Sequence, residues 1–487
     1  MPTKFQDSND FFSPMRFEAQ VDDCLVEGEL PSDLYGTFYR SCADRRFPPL
    51  YPHDTPYNAD GAVDMFRFYN GNVDFRSRYV RTARYIAERA AHKPLFGLYR
   101  NHRTSDPSVQ HLSHNTANTT PIVHAGMLFS MKEESLPTRL DPHTLDTLGE
   151  WDFNGTLKST SFTAHPKQDP VTGELIAFAY EAKGDATNDL AVFVFDKNAV
   201  LTNEIWFKSP VVSMMHDMAI TDRHVILPTT AMITSGERLA AGQIHWAHDP
   251  EVPAHVAIVP RNGTAKEVRW FRGSIKQNML VHTLNAWSEG NKVIMEAPVA
   301  SENFHPYFPR VDGTRSDPAL YHPTMRRWTF DLDSPKETWD EEILFGGMKV
   351  TTFTRMDDRF LTQAHRYSYM LMSDPSAPIN QAFADTLAVR VSNAWYRFDH
   401  RTGQINKFSA GDTHGMSEPQ FVPRYPGAAQ DDGYLMGVVN DFKAMKSELV
   451  LVDAGNLEAG AIARVKLPFR LHMQVHGWWV SGDQLAF

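Results

Sequence analysis

Thiols are nearly absent from this chain. Cys24 and Cys42 are the only cysteines among 487 residues, and they form no CxxC pair. A disulfide scaffold and a thiolate-built zinc site are thereby excluded, so a tight metal site would have to use histidine and carboxylates. Basic residues are outnumbered, 48 Lys and Arg against 59 Asp and Glu, for a formal net charge of -11. That balance argues against a nucleic-acid partner and against strong attachment to anionic membranes. No apolar run approaches the roughly 18 residues that span a bilayer. The opening "MPTKFQDSNDFFSPM" lacks the apolar stretch of a secretory signal. A cytoplasmic protein is expected.

Long amphipathic helices are also scarce. The best candidate is about 79–100, "YVRTARYIAERAAHKPLFGLYR", whose apolar spacing is near the helical period. Most of the remainder alternates in short runs separated by turn residues. In "MFRFYNGNVDFRSRYV", Asn70-Gly71 between two alternating runs predicts a tight hairpin. Five segments share an apolar residue, an aspartate, a few turn residues and a further strand. Their aspartates are Asp141, Asp196, Asp331, Asp399 and Asp453. An aspartate at a strand end bonds its own backbone and starts a turn. The gap from Asp196 to Asp331 is about twice the others, as if one copy were degenerate. A repeat of this length with several strands per unit predicts an all-β propeller of seven or eight blades, with the 79–100 helix as a cap.

Histidines then fall against that repeat. His165, His216 and His282 are separated by about one repeat each, and His476 follows about three repeats later. Inner strands of a propeller surround one axis, so equivalent positions in different blades converge. Four neutral imidazoles on an axis would suit iron, copper, zinc or nickel. His124, His224, His365 and His472 compete for the same role on sequence grounds.

The segments "FTAHPKQDPVTGE", "MHDMAIT", "SEPQFVPR" and "HGWWV", together with "NADGAVDMFRF", resemble motifs of the carotenoid cleavage oxygenase family, and the likeness runs over nearly the whole chain. The resemblance implies a single seven-bladed β-propeller domain spanning 1–487. A helical and loop dome would cap one face, and one Fe(II) per subunit would sit on the axis with O2 as co-substrate. It assigns the iron to His165, His216, His282 and His476, and removes His124. Family members orient three of the imidazoles with glutamates. Two are matched here by Glu134 in "KEESLP" and Glu418 in "SEPQF". The third position, in "TFTRMD", is Thr352, whose hydroxyl could accept a hydrogen bond but lacks the charge.

Within the family the chain is most similar to the stilbene-cleaving branch, the lignostilbene and resveratrol dioxygenases of lignin-derived aromatic catabolism. That branch holds the substrate's 4-hydroxyl with a tyrosine and a lysine, matched here by Tyr99 and Lys132. The expected reaction is cleavage of the central double bond of a 4-hydroxystilbene into two aromatic aldehydes. Tyr57, Phe304 and Phe308 are expected to line the pocket. Two other readings stand beside it: cleavage of an apocarotenoid or another phenylpropenoid alkene, and a non-catalytic propeller binding protein with a degraded iron site. A homodimer is compatible with the sequence.

Overall fold

The computed structural model describes residues 13–303, 305–383, 392–472 and 474–485. Seven antiparallel sheets of four to six strands follow one another around a ring, and one two-stranded ribbon lies outside them. We number the blades 1 to 7. Blade 1 is Gly36–Ala43, Gly61–Tyr69 and Asn72–Tyr79, closed on its inner side by Gln474–Ser481. Blade 2 begins at Thr120–His124, blade 3 at Lys167–Gln168 and blade 4 at Ala219–Ile220. Blade 5 begins at Met279–Leu280, blade 6 at Thr354–Arg355 and blade 7 at His414–Met416. The ring is fastened twice. The strand Gln474–Ser481 joins the first blade, and the early strand Leu25–Gly28 joins the edge of blade 7.

The repeat in the sequence is a repeat of one turn. Asp141, Asp196, Asp331, Asp399 and Asp453 each leave the third strand of a blade and accept two main-chain N–H groups of the turn that follows. The missing copy is blade 4, where His255–Pro260 leads instead into a Thr264/Glu267 capping box. In blade 1 the same corner is Asn70-Gly71, with φ of 48° and 74°. Two successive positive φ values give the turn whose twist matches the flanking strands, so the hairpin forms as its sequence predicts.

Hydrophobic clusters lie between neighbouring blades rather than in one central core. One joins blades 3 and 4 through Phe178, Val192, Ile220 and Val259. Another joins blades 1 and 7 through Phe66, Phe75, Val438 and Leu449. The axis is therefore left to polar side chains.

The cap differs from its expected form. The predicted 79–100 helix is only Ala83–Ala91. Tyr79 is still in the last strand of blade 1, Thr82 caps the helix, and His92 ends it in the left-handed conformation ahead of Pro94. Among the described residues only one other α-helix occurs, Gly236–Ala240. The cap is thus mostly loop, drawn from 44–60, 80–119, 229–254, 301–303 and 305–323. Side chains tie these loops together. Asn101 Nδ2 donates to the carbonyls of Leu239 and Gln243, and Asn118 Nδ2 donates to those of Tyr57 and Ala59.

Candidate metal centre

Six of the seven blades bring a polar residue to the axis where the inner strand begins or breaks. His165 precedes the inner strand of blade 3, and His216 that of blade 4. His282 lies in the break between the two inner segments of blade 5, Met279–Leu280 and Asn285–Glu289. Thr352 precedes the inner strand of blade 6, Glu418 sits in the break of blade 7, and His476 is on the inner strand of blade 1. The first five lie outside the regular strands and are free of their alternation, so they can turn inward, while His476 reaches the axis from within its strand.

The four imidazoles meet. One ligand atom from each of His165, His216, His282 and His476 lies within 4.8 Å of the others. The Nε2 atoms of His165 and His216 are 3.0 Å apart. Three outer ring nitrogens are held. His216 Nδ1 is 2.5 Å from Glu133 Oε2, His476 Nδ1 is 3.1 Å from Glu418 Oε1, and His282 Nδ1 is 2.9 Å from the Thr352 carbonyl. A carboxylate or carbonyl only accepts, so each of these Nδ1 atoms carries the proton and each Nε2 presents a lone pair.

Three inward lone pairs at such spacing repel unless a cation lies among them. His282 Nε2 is buried without a hydrogen-bond partner, as a metal ligand awaiting its ion would be. Burial, then the neighbouring histidines, hold His165 and His282 well below the usual imidazole range, so both stay neutral and able to donate. The donor set therefore fits a divalent transition metal.

Two expectations are corrected here. Glu133, not Glu134, orients His216. Successive residues diverge where the chain leaves the strand Met127–Met131, and only the first glutamate reaches the ring. Glu134 instead lies 3.4 Å from the Tyr99 hydroxyl and 3.9 Å from Lys132 Nζ. Thr352 contributes its main-chain carbonyl rather than its hydroxyl, which is buried with no partner. A neutral carbonyl thus takes the place of a charged carboxylate behind His282.

The glutamates are themselves anchored. Burial works to raise both carboxyls, but their hydrogen-bond donors and neighbouring charges prevail. His216, Arg100 and Lys132 hold Glu133 down to about 2, and Arg355 with His476 does the same for Glu418. Arg355 donates to Glu418 at 2.9 Å. Arg100 donates to Tyr180 at 2.6 Å and pairs with Glu181. None of Glu133, Arg100 and Tyr180 was singled out from the sequence. No common pattern marks them: Arg100 lies in a turn and Glu133 just beyond the strand Met127–Met131. Removing the Glu133 charge tests the arrangement. Glu133→Gln is expected to weaken metal affinity about 10- to 100-fold, while Glu134→Gln leaves it unchanged, as read by competition with a chelator.

Beside the histidines lies an aromatic corner. Tyr99 and Phe308 ring centroids are 5.9 Å apart, and Tyr57 and Phe308 6.3 Å. His305, unforeseen from sequence, bonds the Tyr57 hydroxyl at 3.1 Å. Lys132 Nζ stands 5.2 Å from the Tyr99 ring centroid and donates to the Tyr57 carbonyl and Asn118 Oδ1. Phe304 lies outside the described residues. A separate cavity of about 90 Å³ reaches His165, His282 and His476 and is lined by paired charges, Lys167 with Asp217 and Arg355 with Glu418. Asp217 turns away from His216 and accepts from Thr283.

The competing histidines have other partners. His124 bonds the Asp196 carbonyl, His472 pairs with Asp44, and His224 lies on the second strand of blade 4. His365 joins His400 around Glu296, a second group with ligand-like spacing. There, however, the Asn285 amide, fixed by Gln363 and Thr362, donates to His365 Nδ1. His365 Nε2 must then carry the proton toward Glu296, so the group is an ion-pair node between blades 5 and 6. Burial lowers His365 to about 4, and His400, His365 and Arg327 outweigh burial to bring Glu296 to about 2. Both shifts have one sign. The unfolded chain binds protons more readily, first near the ordinary histidine value and then near the carboxylate value. The node's stability is thus lost as pH falls from about 6.5 toward 2. A His365→Gln variant is expected to show a flatter decline of Tm between pH 6.5 and 4 by calorimetry; a decline parallel to the wild type would remove His365 from the account.

The comparisons agree with this geometry. The chain matches the retinal pigment epithelial membrane protein family over residues 12–481. It is 39% identical over 474 residues to lignostilbene-alpha,beta-dioxygenase isozyme III of Sphingomonas paucimobilis, covering 97% of this chain and 96% of that one. It is 40% identical over 474 residues to isoeugenol monooxygenase of Pseudomonas putida, covering 96% of each. The crystal structure of Pseudomonas brassicacearum lignostilbene dioxygenase superposes with a TM-score of 0.91 at 39% identity, covering 97% of this chain and 98% of that one. A seven-bladed propeller with four axial imidazoles, matched along nearly its whole length, belongs to the retinal pigment epithelial membrane protein family of carotenoid cleavage oxygenases.

Proposed function

We propose that this chain is an iron(II)-dependent dioxygenase that cleaves the central double bond of 4-hydroxystilbenes into two aromatic aldehydes. The observation that carries the proposal is the adjacency of two devices. One carboxylate, Glu133, spans from His216 Nδ1 to within 3.3 Å of the Tyr99 hydroxyl, beside Lys132. A metal centre and a phenol clamp are thereby held in fixed relation. The names and likeness of the lignostilbene relatives support the same substrate class.

His165, His216, His282 and His476 would hold the iron, with Glu133, Glu418 and the Thr352 carbonyl fixing three of the rings. Bound there, iron would supply the activation of dioxygen. The other steps belong to the chain. Tyr57, Tyr99 and Phe308 offer ring faces to a flat aromatic substrate. Lys132 favours the ionised phenol, as an adjacent opposite charge does. The phenolate, para to the alkene, pushes electron density onto the double bond that dioxygen attacks. The clamp and the wall hold that bond in one orientation.

A second reading shares the clamp. Isoeugenol also carries a phenol para to its alkene, and an isoeugenol monooxygenase is 40% identical to this chain. Oxygen uptake by the iron-loaded protein, with a panel of hydroxylated stilbenes and isoeugenol and with the product aldehydes identified, tests both. Stilbenes turned over faster than isoeugenol are the expected result; the reverse order favours the second reading, and no uptake with any phenol would overturn the first. No helix among the described residues is long and apolar enough to cross a membrane. We take the protein to act in the cytoplasm on small lignin-derived aromatics.

A further inference from the structure

Two carboxylates approach one phenolic hydroxyl in the clamp. Tyr99 Oη lies 3.3 Å from Glu133 Oε1 and 3.4 Å from Glu134 Oε2. It has one proton to give. The other oxygen of Glu133 is committed to His216. Glu134 has no such commitment. Its carboxylate faces the Tyr99 hydroxyl and its own main-chain N–H, touches no imidazole, and its side chain is 7% exposed. A spare buried carboxylate beside a substrate clamp calls for a proton.

Lys132 is poorly suited to take the substrate's proton itself. Its Nζ directs two N–H groups at fixed acceptors, the Tyr57 carbonyl at 3.2 Å and Asn118 Oδ1 at 3.1 Å. The Asn118 amide cannot turn away, because its Nδ2 is bonded to the carbonyls of Tyr57 and Ala59. Glu134 lies 3.9 Å and the Tyr99 ring centroid 5.2 Å from the same Nζ, an ion pair and a cation–π contact. Lys132 thus keeps its third N–H for the substrate oxygen and has no lone pair to offer.

We propose that Glu134 is a catalytic base of this site, removing the proton of the substrate's 4-hydroxyl while Lys132 remains an ammonium beside the phenolate. The proposal rests on the phenol-clamp reading above. The phenol O–H bond breaks, its electron pair stays on the phenol oxygen, and a new O–H bond forms on Glu134; nothing is oxidised or reduced. The charged groups that face Glu134 are Lys132, Arg100 and Glu133. Burial raises the proton affinity of this carboxyl, which narrows its mismatch with a phenol.

The test compares wild type with Glu134→Gln, both loaded with iron, on 4-hydroxystilbenes whose phenols are made more acidic by ring fluorination. The variant is expected to retain iron and to lose about 100-fold in kcat/KM on the parent compound. Its deficit should shrink as the phenol becomes more acidic. Metal-free protein gives a second readout. The parent compound bound to wild type should show the red-shifted absorption of a phenolate, and bound to Glu134→Gln that of the neutral phenol. Wild-type rates in the variant, or a deficit that stays constant across the series, would overturn the assignment alone. A wild type inactive on the whole series would overturn the phenol-clamp reading and the assignment with it.

Discussion

Replacement of His282 by alanine is expected to give a folded protein that no longer retains iron. His282 lies in a break of the blade 5 inner strand, so its ring does not support the sheet. Its Nε2 is buried and has no hydrogen-bond partner. Losing an entire donor should cost more than the 10- to 100-fold typical of an outer orienting group, and we expect at least ~100-fold. Protein purified without oxygen, reconstituted with ferrous iron and desalted should carry about one iron in the wild type and almost none in the variant. Circular dichroism should match the wild type. Stoichiometric iron in His282→Ala would mean that the other three rings suffice.

The second large effect concerns the substrate. A 4-hydroxystilbene and its 4-O-methyl ether differ by one methyl group, but only the first can give up a proton and meet an ammonium. The methyl ether would leave Lys132 facing an oxygen that bears no charge and would leave no proton for a base to remove. A site built to bond a hydroxyl rejects the analogue lacking it by as much as roughly ten-thousand-fold. We expect a loss of that order in kcat/KM, with a comparable fall for Lys132→Ala on the hydroxylated compound and unchanged iron content. Iron loss in Lys132→Ala would instead make the lysine structural, and equal turnover of the two stilbenes would remove the phenolate step.

What could be read from the sequence follows from what repeats. The five aspartates are spaced as they are because each starts the same corner of a blade, so the period on the chain is a period in space. The four histidines inherit that period from the inner strands, and they were legible for the same reason. The cap was not, because loops from four distant segments carry no common period. Glu133 and Glu134 are adjacent, and which of the two turns inward is decided by how the chain leaves a strand. The Thr352 carbonyl is a main-chain group, which no residue type announces. Asn118 and His305 act by orienting other groups, and only their neighbours in space reveal it.

The two-fold fastening of the ring also sets an order of events during synthesis. A chain emerges from its N-terminus, so its early blades are made before its last strand. Blades 3, 4 and 5 can therefore present His165, His216 and His282 before the final inner strand has been made. His476 travels on Gln474–Ser481, the same strand that seals blade 1 against Gly36–Ala43. The fourth imidazole thus arrives only with closure, and a nascent or clipped chain lacking that strand carries three. Occupancy of the metal centre would then report whether the ring has shut, making the bound ion a mark of completed assembly as well as a cofactor.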